Sequence, residues 1–99
     1  MKPRDEKEQL RRIRQMERAF VRASATLKRL ASAIDKYEEA KEDFAALNDY
    51  YGSDDWKQDF RDDESGRLPQ GLKRGVLSED GIWNLLEALS ELRERAKRL

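Results

Sequence analysis

The chain has 99 residues, of which 42% are charged and 37% hydrophobic, and its formal net charge is zero. This length suits one small domain, which we predict over residues 1–99, and the apolar residues are spaced too regularly for a disordered chain. No cysteine or histidine is present, which excludes disulfides, a thiol nucleophile and the usual zinc ligands. We therefore predict a protein that is not an enzyme, with no cofactor, no resident metal and no catalytic residue.

The N-terminal residues lack the apolar run of a signal peptide. No stretch of the sequence approaches the roughly 20 apolar residues that span a bilayer. We therefore expect a cytoplasmic protein that does not associate with membranes.

The first predicted element is a helix over about residues 4–51. Pro3 suits a first helical turn, and Asp5 and Glu6 follow where carboxylates complement the helix dipole. Apolar residues then alternate at spacings of three and four, which is the pattern of a coiled-coil seam. A break near Ser24, which would produce a three-helix bundle, is the competing interpretation. The seam comprises Ile13, Met16, Phe20, Ala23, Leu27, Leu30, Ile34 and Tyr37 and, after a lapse at Lys41, Phe44.

A stripe of basic residues lies almost opposite this seam at 100° per residue. Residues 1–30 hold ten lysines and arginines against four acids, whereas residues 31–64 hold four against twelve. A basic stripe can follow a phosphate backbone, so nucleic-acid binding is one hypothesis. The alternative is an ordinary solvated helix face, because no aromatic residue interrupts the stripe. The stripe comprises Arg4, Lys7, Arg11, Arg14, Arg18, Arg22 and Arg29.

The first helix is predicted to end at Gly52, because glycine readily adopts the left-handed conformation that closes a helix. A short second helix over about residues 53–62 is predicted to follow, with Ser53 as its N-cap. Trp56 and Phe60 are one turn apart, so we expect them to share the face that packs on the first helix.

Acidic residues line the other side of this short helix. Carboxylates at such a spacing can hold Mg²⁺ or Ca²⁺, which makes a metal site one alternative, although the spacing around Gly66 does not match an EF-hand loop. The interpretation that we prefer is that one or more of these acids, Asp59 especially, pairs with Lys73 or Arg74 across the bend. The acidic residues are Asp55, Asp59, Asp62 and Asp63.

A glycine- and proline-rich return is predicted over residues 63–77, followed by a helix over about residues 78–98. Ser78 is the expected N-cap of that helix, and Leu77 is placed to contact Ile82 at its start. We expect four apolar residues to hold the return against the helices: Leu68, Leu72, Val76 and Leu77. The apolar residues of the last helix are Ile82, Leu85, Leu89, Leu92, Ala96 and Leu99, with Trp83 and Leu86 beside them.

Two helices with matching seams predict an all-α fold, in which they form an antiparallel hairpin joined by the short helix and the turn. The last helix covers less than half of the first at 1.5 Å per residue. The seam from Ile13 to Leu27 is therefore left uncovered. We predict, as a hypothesis, a homodimer in which these seams pair; the three-helix bundle is the monomeric alternative.

A charged helix that bears RIRQME is followed in the chain by two distinctive segments, YYGSDDWKQD and GRLPQGLKRGVLSEDGIWNLL. Together they resemble the domain of unknown function 4298 family of small bacterial proteins, over nearly the whole chain. The resemblance implies an all-helical cytosolic protein of a bacterium or phage, and it supplies no activity, cofactor or catalytic residue. The signature residues that it implies are Tyr50, Tyr51, Gly52, Trp56, Asp59, Gly66, Pro69, Lys73, Gly75, Ser78, Glu79 and Asp80.

We predict that the chain is an interaction or adaptor protein, which presents the tip of the hairpin, residues 47–80, to an unidentified protein partner. The candidate residues of the tip are the signature residues together with Arg74. Nucleic-acid binding and a carboxylate metal site at the tip are the alternatives. The candidates for nucleic-acid binding are Arg11, Arg14, Arg18, Arg22 and Arg29.

Overall fold

The structure, a computed structural model, describes residues 5–99. These residues form helices and turns without any β-strand, as the predicted fold class requires. No helix in this part of the chain is both long enough and apolar enough to cross a membrane. The elements are α1 (Glu6–Tyr50), α2 (Asp54–Glu64), a 3₁₀ turn (Gly75–Leu77) and α3 (Gly81–Lys97).

Asp5 caps the first helix. Its carboxylate accepts the backbone N–H groups of Lys7 and Glu8 at 3.0 and 3.3 Å, which satisfies two donors that the first turn would otherwise leave free. Pro3 and Arg4, with which we predicted the helix to begin, lie outside the described residues.

Helix α1 is continuous for 45 residues, so the break near Ser24 does not occur and the three-helix bundle that depends on it is excluded. No residue of α1 is buried. The prediction of an uncovered seam between Ile13 and Leu27 is confirmed, and the uncovered part extends from Leu10 to Ile34. The large apolar side chains in this range are between 48% and 67% exposed.

The chain divides into two units, one up to Glu39 and one from Ala40 to Leu99. In the second unit, the last part of α1 and α3 form the antiparallel hairpin, so the predicted fold class is confirmed. Ala40 is partly buried and occupies the place in the seam where the sequence shows a lapse at Lys41. The other partly buried apolar residues of the two helices in this unit are Phe44, Leu47, Leu86 and Leu89.

The core of the second unit is small. Among the described residues only Leu77 and Ile82 are buried, at 6% and 3% exposure. Leu77 belongs to the 3₁₀ turn, which packs against both α2 and α3. The turn therefore supplies the apolar centre around which the hairpin closes.

The last helix begins at Gly81, so the prediction that it starts at Ser78 was wrong. Ser78 ends the 3₁₀ turn instead, and its hydroxyl donates to the Gly75 carbonyl at 2.9 Å. The same hydroxyl accepts the N–H of Gly81 at 3.1 Å, which is the bond expected of a cap. Because the 3₁₀ turn uses the residues before Ser78, Glu79 and Asp80 precede the helix and do not form its first turn.

The covered side of α3 also differs from the predicted stripe. Ile82, Leu86 and Leu89 are its least exposed apolar residues, whereas Leu85 and Leu92 are 44% and 59% exposed. A single neighbouring helix covers a narrower strip than the whole apolar stripe of a helix. Leu86, which we had placed beside the seam, therefore lies in it.

Candidate functional site

The tip contains the end of α1 and the start of α2, and the sequence predicted both correctly. Gly52 has a φ of +77°, in the left-handed region that glycine tolerates, and α1 ends just before it. Ser53 then caps α2, because its hydroxyl oxygen accepts the N–H of Trp56 at 3.1 Å. The same hydroxyl donates to the carbonyl of Tyr50 at 2.6 Å, so it joins the end of α1 to the start of α2.

A hydrogen bond between the side chains of Tyr50 and Asp59 links these two helices. The Tyr50 hydroxyl donates to the Asp59 carboxylate at 2.6 Å, and both residues are half-buried. Burial, followed by the hydrogen bond and negative charge of Asp59 and the charge of Asp55, raises the pKa of Tyr50 to about 12. The prediction that Asp59 pairs with Lys73 or Arg74 was wrong, because the phenol at the end of α1 occupies its carboxylate.

Arg74 does pair with an acid across the bend, and that acid is Asp63. The guanidinium also donates to the carbonyls of Pro69 at 2.5 Å and Leu72 at 3.3 Å. One planar cation with several donors thus holds α2 and two points of the return together. Lys73, the neighbouring cation, is exposed.

The aromatic residues of the tip surround Trp56. Its ring is stacked on Phe60 and meets Tyr51 edge-on, with centroid distances of 5.2 Å in both pairs. The prediction that Trp56 and Phe60 share one face is therefore confirmed, whereas the packing of that face on the first helix stays a prediction. The indole N–H of Trp56 donates to the Val76 carbonyl at 2.8 Å, and the Tyr51 hydroxyl donates to the Glu79 carbonyl at 3.0 Å. These bonds attach the return to the region around the start of α2.

Two glycines, one in the tip and one directly after it, have specific structural roles. Gly66 has a φ of +76° and closes α2, where the N–H groups of Gly66 and Arg67 donate to the carbonyls of Asp63 and Asp62. At Gly81 a Cβ atom would collide with the Ser78 hydroxyl and lie 2.7 Å from the Gly75 carbonyl oxygen. Only a residue without a side chain fits between the 3₁₀ turn and α3.

Three acids of α2 have separate partners. Asp62 accepts from Gln58 at 3.0 Å and lies 3.7 Å from Arg67, while Asp59 and Asp63 are bonded to Tyr50 and Arg74 as described above. Across residues 5–99, no three acidic side chains are grouped so that they could hold a metal ion. The arrangement is that of a cross-linked turn, in which these three carboxylates bond to different parts of the chain.

The basic stripe lies on the exposed side of α1 in the first unit. Arg11, Arg14, Arg18, Arg22 and Arg29 are all exposed. Arg11 lies 3.4 Å from Glu8, and for the other four no ion pair is found among the described residues. Arg4, which we had included in the stripe, lies outside these residues.

The return does not bury all of its apolar residues. Leu68 is half-buried and Leu77 is buried, whereas Leu72 and Val76 are 48% and 40% exposed. The prediction that all four hold the return against the helices was therefore wrong for Leu72 and Val76. Their backbone carbonyls accept hydrogen bonds from Arg74 and Trp56, and their side chains remain accessible to solvent.

Sequence reasoning missed two contributors in and beside the tip: the Val76 carbonyl and the glycine at position 81. A backbone carbonyl carries no signal in the sequence, because every residue has one. Gly81 did carry a signal, since it follows Ser78 at the spacing of a capping bond. Asp63 was one of the four acids expected to pair with Lys73 or Arg74, but the sequence analysis preferred Asp59.

A family model described as "Domain of unknown function (DUF4298)" matches residues 13–99 of the chain. No curated protein matches the chain, and no solved structure matches it.

Proposed function

The chain belongs to the DUF4298 family, and we propose that this member is a non-enzymatic interaction or adaptor protein of the cytoplasm. In this proposal the tip is the surface that binds a protein partner. The observation that carries the proposal is the exposure of Leu72 and Val76, at 48% and 40%, on a segment whose backbone is held by hydrogen bonds.

The backbone restraint matters because binding is weakened by the entropy of ordering a loop. Arg74 holds the carbonyl of Leu72, and Trp56 holds the carbonyl of Val76. The two exposed side chains are therefore presented from backbone that is already ordered. Exposed apolar side chains that lie together mark interaction surfaces, and ordered backbone lowers the entropic cost of binding there.

The polar groups of the tip support a binding role over a catalytic one. The Tyr50 hydroxyl, with a pKa of about 12, keeps its proton near neutral pH and donates it to Asp59. Arg74 is directed to Asp63 and to backbone carbonyls. These groups stabilise the tip and are not directed toward an open cleft where a substrate would react.

The proposal is tested by affinity capture from native cells with the wild-type chain and with the Leu72→Asp and Val76→Asp variants. Leu92→Asp is the matched control, because Leu92 is 59% exposed in the same unit but lies outside the tip. We expect one partner to be captured by the wild type and the control and lost with both tip variants. Equal capture by all four folded proteins would exclude the tip as the binding surface.

A second candidate function is nucleic-acid binding through the basic stripe. It is supported by the exposure of Arg14, Arg18, Arg22 and Arg29, for which no ion pair is found among the described residues. We expect binding to weaken steeply as salt is raised, since the stripe would displace counterions from phosphates. Fluorescence anisotropy with labelled duplex and single strands measures this. Arg11→Glu, Arg18→Glu and Arg22→Glu should then reduce the affinity; absence of binding by the wild type at low salt would exclude this function.

A further inference from the structure

The first unit carries an apolar seam that none of the residues 5–99 buries. Its large apolar side chains from Leu10 to Ile34 are 48% to 67% exposed. An amphipathic helix gains most of its stability in water by burying its apolar face, and single-domain proteins rarely leave a long continuous apolar surface exposed. The strict spacing of three and four along this seam fits a second helix of the same kind.

We propose that a second copy of the chain covers this seam and that the two α1 helices pair in antiparallel orientation, centred near residue 25. The proposal is independent of the function proposed for the tip, because it concerns only residues of the first unit. Its argument rests on the distribution of charge along α1 and on the size of the side chains beside the seam.

Charge along α1 favours the antiparallel orientation. Residues 11–18 carry four arginines and one glutamate, whereas residues 32–39 carry three acids and one lysine. An antiparallel pair centred at residue 25 brings these two segments together at both ends of the dimer. A parallel pair would instead bring together two segments that each carry four arginines against one glutamate, which is unfavourable although Arg11, Arg14 and Arg18 face away from the seam.

Charge and burial together select the register. In the proposed register Phe20 lies beside Leu30 of the second copy, and Ala23 lies beside Leu27 of the second copy. A shift by one heptad toward the N-terminus would bring residues 11–18 against residues 25–32, which contain Lys28 and Arg29 and no acid. A shift by one heptad toward the C-terminus would instead use Ala40 and Phe44 in the seam, which are already partly buried.

The residues on either side of the seam are small in its central part. Small flanking side chains allow two helices to approach closely and extend the apolar contact beyond the seam itself. The charged residues of this part, Arg22, Lys28 and Arg29, lie outside the seam and its flanks and stay in solvent. The flanking residues are Ala19, Ser24, Thr26, Ala31 and Ala33.

The first test is the effect of the seam on molecular mass. Phe20 and Val21 are adjacent and similarly exposed, at 67% and 61%, but only Phe20 belongs to the seam. We expect a dimer by sedimentation or light scattering at micromolar concentration, a monomer for Phe20→Asp and a dimer for Val21→Asp. A monomeric wild type at tens of micromolar, or equal effects of the two variants, would overturn the proposal.

The second test measures orientation. Because the chain has no cysteine, one cysteine can be introduced for a spin label, at Gln15 in one sample and at Ala25 in another. In the antiparallel dimer the two labels at position 15 are offset along the axis by about 30 Å, and those at position 25 have no offset. Pulsed EPR should therefore give a clearly longer distance at position 15. Equal distances at the two positions would show a parallel pair and overturn the proposed orientation.

The third test concerns charge. Reversing the four arginines of residues 11–18 to glutamate should raise the dimer dissociation constant by roughly tenfold or more, because each exposed pair contributes modestly and the pairs occur twice. Adding Asp35→Lys, Glu38→Lys and Glu39→Lys to that variant should restore pairing. In a parallel dimer, the glutamate changes would not weaken pairing and the added lysine changes would not restore it. Circular dichroism of each variant verifies that the helix is retained.

Discussion

The hydroxyl of Tyr50, the last residue of α1, donates a hydrogen bond of 2.6 Å to the carboxylate of Asp59 on α2. Together with the bond from the Ser53 hydroxyl to the Tyr50 carbonyl, this bond joins the end of α1 to α2. A neutral donor and an ionised acceptor make a stronger pair than two neutral groups.

Replacing Tyr50 with phenylalanine should lower the free energy of unfolding by about 1 to 2 kcal/mol, since the half-buried Asp59 carboxylate loses its donor. Urea unfolding followed by circular dichroism measures the change. The double variant Tyr50→Phe, Asp59→Asn should lose less free energy of unfolding than the two single variants lose when their losses are added. Strict additivity would show that the two side chains do not interact in solution.

The raised pKa of Tyr50 makes stability depend on alkaline pH. The folded protein holds the phenol proton to about pH 12, whereas the ordinary pKa of tyrosine is 10.0. Between these values the folded state binds more protons than the unfolded state, so the free energy of unfolding should fall as pH rises. Urea unfolding from pH 9 to about pH 12 measures this, and Tyr50→Phe should show a smaller fall. An identical fall in both proteins would contradict the assignment to Tyr50.

Trp56→Phe should destabilise the second unit by about 1 kcal/mol or somewhat more. The change keeps an aromatic ring beside Tyr51 and Phe60 but leaves the Val76 carbonyl without the indole donor that now lies 2.8 Å away. Trp83→Phe is the control, because Trp83 is 53% exposed. Thermal unfolding of both variants should show a lower midpoint for Trp56→Phe only, and equal midpoints would contradict the prediction.

Arg74→Lys should loosen the return although it keeps the charge. A lysine ammonium lacks the planar fork that bonds Asp63 and the carbonyls of Pro69 and Leu72 at once. We expect faster hydrogen exchange in residues 67–77 and a free energy of unfolding that is lower by about 1 to 2 kcal/mol. The reverse change at the exposed neighbour, Lys73→Arg, should leave both the hydrogen exchange and the free energy of unfolding unchanged. Unaltered exchange in Arg74→Lys would count against the bridging role.

Gly81→Ala should lower the free energy of unfolding by roughly 1 to 3 kcal/mol, because the new methyl group would overlap the Ser78 hydroxyl and crowd the Gly75 carbonyl. Gly71→Ala is a matched control. At Gly71 nothing lies within 4 Å of the added Cβ, and the alanine restricts only the unfolded chain, so a neutral or slightly stabilising effect is expected. A similar loss at both positions would show that the crowding at Gly81 is not the cause.

The local features of this protein were readable because they depend on residues close together in the chain. The end of α1 and the start of α2 follow from Gly52 and Ser53, whose conformational preferences act within one turn. The continuity of α1 across Ser24 follows from a seam that keeps its register there. The start of α3 was predicted wrongly for a related reason. Ser78 does make the capping bond that its residue type predicts, but it makes that bond at the end of a 3₁₀ turn, which the local sequence does not specify.

The sequence by itself determined the all-helical class, the uncovered seam of α1 and the crowding of special residues into the tip, because periodicity and turn chemistry are local properties. Only the tertiary structure decided which partners the polar side chains of the tip have. It assigned Asp59 to Tyr50 and Asp63 to Arg74, and it left Leu72 exposed while burying Leu77. The two pairs join residues 9 and 11 positions apart, and the distances between such residues are set by how the helices pack, which residue type and spacing do not encode.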